Sequence, residues 1–449
     1  MEIEKKKFGF FKFLLHIVAF ILFIWLAGGA VNYGFNLMLR DYIESFDVVD
    51  YPEDRLVPEI GEEGHYTITT DRDLKIMHIT DVHMGGGMFS FKRDKKSIYE
   101  VITMLQKEKP DLVILGGDNT YPLFTPGYNG GWTFNNKMVA KTVIDIFEHE
   151  QVYFSTVFGN HDTEAIDYYS RQDIGDLYMS EDYKYSIFRE EYTDPDADTV
   201  PSVSNQFILV KNSAGKITKV ILLIDSNAYI DTTPISSAKM LYDTIHPAQI
   251  EWARSEIEKL SLKQGLPEGE YLKCITFMHI PVGEYRTAYE ELFTDVMGEE
   301  GKPVAFEQKD DPKDTVFVSG YWDEDKIYFG GVSNTDIAPE DQDLFFEVMA
   351  EEMGSVEAIF CGHDHVNNGV VYYKGVMLAY GYSVDNIAYG NEISNVGSQR
   401  GATVITVSPD GSFSEVHKNA YKDYGCETDK FVPVDPDGIF TPGLYRTYE

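Results

Sequence analysis

Between residues 66 and 158 the chain alternates short apolar runs with amphipathic stretches, and this alternation constrains the fold most. HYTITT alternates like a strand, and LKIMHIT is an apolar run that reaches Asp81. Residues 97–109 place Ile98, Val101, Ile102 and Leu105 at helical spacing, and Pro110 stops them. DLVIL reads as a short buried strand, residues 138–149 as a second amphipathic helix, and QVYFSTVF as the next strand. A βαβαβ order predicts an α/β fold whose sheet is crossed by helices. Later segments extend it. FILVKN and ITKVILLIDS flank a hairpin turn, KCITFMHI and AIFCG are buried strands, and 247–260 and 341–353 are helices. TVITVSPDGSFSEV is a hairpin that turns at Pro-Asp-Gly.

Metal-binding residue types recur where these strands stop. Asp81-Val82-His83 follows the first run, Gly117-Asp118-Asn119 follows DLVIL, and Gly159-Asn160-His161-Asp162 follows QVYFSTVF. His279 closes KCITFM, and Gly362-His363-Asp364-His365 follows AIFC. Strand carboxyl ends form the crevice of open α/β sheets, so these five loops are expected to converge. Asp81 and His83, two apart, can grasp one ion, and Asp118 has two oxygens with which to bridge two. Asn160 supplies a neutral carbonyl oxygen, His279 and His363 offer imidazoles to one ion, and His365 reaches the other. Mixed nitrogen and oxygen ligation suits Mn, Zn or Fe better than calcium. Two divalent ions beside two carboxylates leave a local charge of about +2, which favours a phosphate substrate. Such a pair clamps phosphoryl oxygens and lowers the pKa of a bridging water. His161 is then the candidate general acid, with Asp162 holding its ring, and stabilisation of phosphate oxygens is its alternative role. Asp225 reads as a strand-end carboxylate capping a loop, and His78 as a core residue or a support to the site.

In this order DVH, GDN, GNHD, an isolated histidine and GHDH resemble the motifs of the calcineurin-like metallophosphoesterase superfamily, over about residues 74–418. The resemblance implies a four-layer α/β/β/α metallophosphoesterase sandwich with two divalent or trivalent metal ions. It implies Asp81, His83 and His365 on the first metal and Asn160, His279 and His363 on the second. Asp118 would bridge them, and His161 would be the catalytic histidine. GDNTY, VFGNHD, MHIPVGEY, GHDHVNN and the AYGYSVDNIAYG stretch are similar to the purple-acid-phosphatase-like subgroup. In true purple acid phosphatases the tyrosine of G-D-x-x-Y binds iron, and Tyr121 stands at that place. Their first motif usually lacks the histidine that is present here as His83. Tyr121 is therefore read as loop packing, with ligation as the alternative.

Charge excludes one class of function. The chain has 449 residues, with 38 basic against 74 acidic residues and a net charge of −36, which excludes a nucleic-acid coat. The N-terminal 40 residues run against that balance, with five basic residues and two acidic ones. Within them FLLHIVAFILFIWLAGGA is apolar apart from His16. Its length approaches that of a membrane span of about 20 residues, which predicts one N-terminal transmembrane helix over 13–36. Flanking lysines place the N-terminus in the cytoplasm and the catalytic body beyond the cell membrane. A signal peptide cut after Ala30, giving a secreted protein, is the alternative. The expected division is a cytoplasmic stub 1–12, an anchor 13–36, a tether 37–66, a metallophosphoesterase domain 67–418 and a C-terminal tail 419–449. An insertion at 283–338 interrupts the domain pattern. Three cysteines are too few for a disulfide framework.

The function expected from the motifs is hydrolysis of phosphate monoesters by a metal-bound hydroxide. The alternatives are a phosphodiesterase or pyrophosphatase acting on nucleotides, lipid-linked phosphates or wall polymers, and a catalytically silent tethered binding protein.

Overall fold

The computed structural model describes residues 2–48, 50–52, 54–122, 130–192, 202–231, 233–297, 303–309, 313–320, 322, 343–388 and 400–426. Side chains at 2–10, 21, 22, 24, 25, 237, 238 and 295–308 also lie outside that description. The tail from residue 427 onward, and residues 298–302 and 323–338 of the expected insertion, fall outside it too.

Sixteen strands are described. The first eight are β1 (Glu59–Ile60), β2 (Tyr66–Thr69), β3 (Leu74–Ile79), β4 (Leu112–Leu115), β5 (Phe154–Thr156), β6 (Gln206–Lys211), β7 (Ile217–Leu223) and β8 (Cys274–Phe277). The others are β9 (Phe293–Met297), β10 (Pro303–Gln308), β11 (Thr315–Ser319), β12 (Val356–Cys361), β13 (Val370–Tyr373), β14 (Val376–Tyr380), β15 (Gly401–Val407) and β16 (Phe413–Asn419). One sheet has the order β16-β15-β3-β4-β5, and a second has the order β1-β2-β6-β7-β8-β12-β14-β13-β11. β9 and β10 pair with each other. In the first sheet β3, β4 and β5 are parallel, with Ile79 level with Leu115, so their carboxyl ends align. In the second sheet β7, β8 and β12 are parallel, with Phe360 level with Phe277. β11, from the expected insertion, forms the edge of the larger sheet beside β13.

Helices cover both outer faces. α1 runs Glu2–Glu44, α2 Phe91–Glu108 and α3 Asn136–His149. α4 is Arg171–Tyr178, α5 Pro234–Ala238, α6 Pro247–Gln264 and α7 Glu284–Leu292. Their ends follow local chemistry. α3 starts at Asn135, whose side chain accepts the Met138 N–H at 3.0 Å. α6 begins on Pro247 and ends where Gly265 enters the left-handed region at φ 81°. Where a helix over 341–353 is expected, a π-helical turn forms at Phe346–Glu352.

Three apolar clusters define the layers. Leu74, Ile76, Leu112, Ile221, Ile275 and Phe360 pack between the two sheets. Ile98, Val101, Val143 and Phe147 seal the first sheet under α2 and α3. Ile250, Ile257, Tyr285 and Phe346 seal the second under α6, α7 and the π turn. The layers are therefore α/β/β/α, as the motifs imply. Each fully buried aliphatic side chain contributes about 1.5–3 kcal/mol relative to exposure.

The N-terminal expectation needs correction. Among the described residues no helix is long and apolar enough to cross a membrane. That overturns the transmembrane helix over 13–36 and the single-pass, cell-membrane placement built on it. The physical reason lies in the contacts of α1, whose last turns are committed to the protein body. Asn32 donates to Trp132 O at 2.9 Å and accepts the Met88 N–H at 3.2 Å. Asn36 accepts from Thr142 Oγ1 at 3.0 Å, and Leu39 and Ile43 are buried beside α2 and α3. Arg40 pairs with Asp145 at 2.5 Å. The side chains of Ile21, Leu22, Ile24 and Trp25, in the middle of the stretch, lie outside the described residues.

One contact on the second sheet makes stability depend on pH. His65 Nδ1 is 2.8 Å from Glu191 Oε2, and its Nε2 is 2.8 Å from Glu256 Oε1. Burial alone would lower the imidazole, but the two carboxylates raise it from 6.5 to about 9. A raised folded-state value stabilises fully below the unfolded value and is lost as pH rises through the folded one. Unfolding free energies of the wild type should therefore fall between pH 6.5 and 10. The same difference in a His65→Gln variant should be smaller, and equal slopes would refute the assignment.

Candidate metal centre

The five loops leave strand carboxyl ends of both sheets and are tied together by backbone bonds. Asp81 N–H donates to Gly117 O and His83 N–H to Asp118 O, each at 3.0 Å. Gly362 N–H donates to His279 O at 3.1 Å. Asp118 Oδ1 accepts the His161 N–H at 2.7 Å, and Asp81 Oδ1 accepts the His363 N–H at 3.2 Å. The turns are tight enough to force unusual backbone. Asp81, His83, Asp118 and His363 have φ of 53°, 50°, 50° and 70°. Such a conformation costs a non-glycine residue about 1–3 kcal/mol, and it clusters at functional sites. Gly159 has no room for a side chain, because a Cβ there would run into the Asp118 carboxylate.

The side chains form two buried groups that share Asp118. Possible ligand atoms of Asp81, His83, Asp118 and His365 lie within 4.8 Å of one another, as do those of Asp118, His279 and His363. Nε2 of His279 is 3.1 Å from Asp118 Oδ2, and Nε2 of His83 is 3.3 Å from the same oxygen. His365 Nε2 is 3.2 Å from Asp81 Oδ1. His279 is held from behind, where Nδ1–H donates to Gly116 O at 2.8 Å. Asn160 Nδ2–H donates to the Tyr229 hydroxyl at 2.9 Å. That bond leaves Asn160 Oδ1 buried and without a hydrogen-bond partner. A buried unsatisfied acceptor costs about 1–3 kcal/mol, and a cation beside it removes that cost. The orphaned oxygen, three imidazoles that turn Nε2 inward and a shared carboxylate therefore fit two metal ions.

The charges are mutually supporting. Burial would raise the Asp118 carboxyl, yet the nearby imidazoles of His279 and His161 hold it well below the usual carboxylate range. Burial would lower His279, and Asp118 instead raises it to about 9. Burial and the Asp118 charge push Asp162 up to about 6.

His161 sits beside the cluster, edge-on to the His83 ring at 5.4 Å. Asp162, expected to hold its ring, faces elsewhere. Its carboxylate accepts N–H bonds from Asn119 at 2.9 Å, Thr120 at 3.1 Å and Gly159 at 2.8 Å. The ring partner is Glu164, whose Oε1 is 2.5 Å from His161 Nδ1. Its only signal in the sequence is a carboxylate three residues after the histidine. Tyr121 lies flat on His83, with centroids 5.1 Å apart and planes 4° apart, and edge-on to His161 at 4.9 Å. Asp364 accepts the Tyr380 hydroxyl at 2.5 Å. Asp225 binds the Arg171 guanidinium beneath the Gly159 turn.

An α/β/β/α sandwich with two adjoining carboxylate–imidazole groups at its strand ends defines a class of protein suited to metal-assisted ester hydrolysis. Residues 74–367 match the calcineurin-like phosphoesterase family, and the chain belongs to that family of dimetal-dependent phosphoric ester hydrolases. It is 23% identical over 339 residues to "Probable inactive purple acid phosphatase 28" of Arabidopsis thaliana, covering 71% of this chain and 72% of that protein. It is 21% identical over 373 residues to "Probable inactive purple acid phosphatase 29" of the same plant, covering 78% and 81%. A solved dimetal phosphatase from Danio rerio overlaps 77% of this chain and 99% of its own, at 12% identity and a TM-score of 0.41.

Proposed function

We propose that this protein hydrolyses phosphate monoesters at a centre of two metal ions drawn from Mn, Zn or Fe. The observation that carries the reading is that one carboxylate, Asp118, belongs to two buried groups of metal-ligand type. Asp81, His83 and His365 would hold one ion with Asp118, and Asn160, His279 and His363 would hold the other. Bound there, the ions would supply charge to phosphoryl oxygens and would lower the pKa of a nearby water, so that hydroxide is available at neutral pH. The protein's own acid–base step falls to His161. Its ring is oriented by Glu164 and partly open to solvent, so Nε2 can give a proton to the leaving-group oxygen. Asp162 shapes the turn that presents His161 by collecting three backbone N–H bonds. Similarity to purple-acid-phosphatase relatives supports the monoester preference. The word "inactive" in their names favours a second reading, a silent phosphate-ester binding protein.

The test uses purified protein loaded with manganese, zinc or iron. Turnover of p-nitrophenyl phosphate above that of the bis ester supports the proposal. A bis-ester preference makes it a diesterase, and two bound metals without turnover on either favour the binding reading. In His161→Ala, kcat should drop about 10²–10⁴-fold while two metals stay bound. Glu164→Gln should lose less than His161→Ala. Wild-type activity in His161→Ala would remove its role as acid.

A further inference from the structure

Asp385 has no place in the ligand set, yet it stands directly behind two of its members. Asp385 Oδ2 is 3.1 Å from His365 Nδ1, and Asp385 Oδ1 is 3.8 Å from His83 Nδ1. Those two rings meet edge to face at 4.5 Å, and their Nε2 atoms point the other way, towards Asp81 and Asp118. The carboxylate is fully buried and firmly placed. It accepts N–H bonds from Ile387 at 2.6 Å and Ala388 at 2.8 Å. Its own N–H donates to Ser383 Oγ at 3.1 Å, and its carbonyl accepts Arg400 Nε at 2.7 Å. The next residue, Asn386, ties the loop to α2 through Glu100 at 2.8 Å.

The two groups are thus supported differently. In the Asp81 group His365 hydrogen-bonds a carboxylate through Nδ1, while His83 Nδ1 faces the same carboxylate at 3.8 Å without a hydrogen bond. In the other group His279 backs onto a peptide carbonyl, and Asn160 onto a tyrosine hydroxyl. A carboxylate behind an imidazole fixes its tautomer and makes its outward nitrogen more basic. We infer that Asp385 is the positioning residue of His365, with its charge also facing His83 at 3.8 Å, and that it makes the Asp81–His83–His365 group the tighter of two metal sites. The affinity half of this inference rests on the two-metal reading above. The ring-orientation half does not.

The test variant is Asp385→Asn, which keeps the shape and removes the charge. Calorimetric titration of metal-free full-length protein with Mn²⁺ should show two steps. In the variant the tighter step should weaken about 10–100-fold and the weaker step should hold. His279→Ala should remove the weaker step and so identify it. Nitrogen spectra of ¹⁵N-histidine-labelled, metal-free protein give a readout independent of metals. The His365 ring should be Nδ1-protonated in the wild type, like those of His279 and His161, and the His365 signal should change in the variant. Asn386→Ala loosens the same loop without touching either ring, and should leave the tighter step in place. Unchanged steps and ring spectra in Asp385→Asn, or an equal loss in Asn386→Ala, overturn the inference. Wild-type protein that binds no metal sinks the two-metal reading instead, while the ring spectra still decide the orienting role.

Discussion

Asp118→Ala is expected to empty both metal groups at once and to lower phosphate-ester turnover by about 10³-fold or more. The reason is geometric. Asp118 Oδ2 faces His279 Nε2 at 3.1 Å and His83 Nε2 at 3.3 Å, so a single oxygen belongs to both groups. Asp118 Oδ1 is taken by the His161 N–H, which locks the carboxylate's rotation and places His161 in the same step. A His279→Ala change should differ, because it strips one group and leaves Asp81, His83, Asp118 and His365 intact. Metal analysis of dialysed protein separates the two outcomes. Near-zero stoichiometry in Asp118→Ala and about one metal per chain in His279→Ala are expected. An Asp118→Ala protein that keeps two metals would remove the bridging role and with it the main support for the proposed chemistry.

Much of this centre was legible because the motif residues follow strand ends, and strand ends follow apolar runs. LVIL and CITF show up in a sequence as uninterrupted buried strands, and Asp118 and His279 follow their carboxyl ends. Asp225 reads as a strand-end carboxylate capping a loop, and it accepts the Val203 and Asn227 N–H groups. What stayed hidden depends on which way a side chain turns. Asp162 and Glu164 are both close to His161 in sequence, and only the fold decides that Asp162 faces backbone amides while Glu164 meets the ring. Asp385 lies 20 residues beyond His365 in an irregular loop without periodicity, so no local pattern connects them. No local pattern links His65 to its two carboxylate partners, which come from residues 191 and 256. The N-terminal stretch misled for a related reason. Apolar length carries no information about the body that Asn32, Asn36 and Arg40 bind.

Asp225→Ala should destabilise the fold by about 3–5 kcal/mol, the largest loss expected away from the metal-ligand types. Arg171 is 2% exposed, and Asp225 takes its guanidinium through Nε at 3.1 Å and Nη2 at 2.6 Å. Removing the carboxylate strands a positive charge in the interior, which is why breaking such a pair costs more than making it gains. The other face of the guanidinium donates to Gly159 O at 3.0 Å and Phe158 O at 3.1 Å. The pair therefore holds the turn that carries Asn160 and His161 from below. Arg171→Met should cost less, because Asp225 keeps the Val203 and Asn227 N–H donors and loses only its ionic partner. Urea unfolding of both variants checks the order. The Arg171→Met, Asp225→Leu double variant should recover part of the Asp225→Ala loss, since no buried charge is left unpaired. The two variants without Arg171 should also weaken the metal step assigned to Asn160, His279 and His363, because nothing then donates from Arg171 to the Gly159 carbonyl. If Asp225→Ala unfolds at the wild-type urea midpoint, the pair is not buried as described, and the turn is held by Asp162 alone.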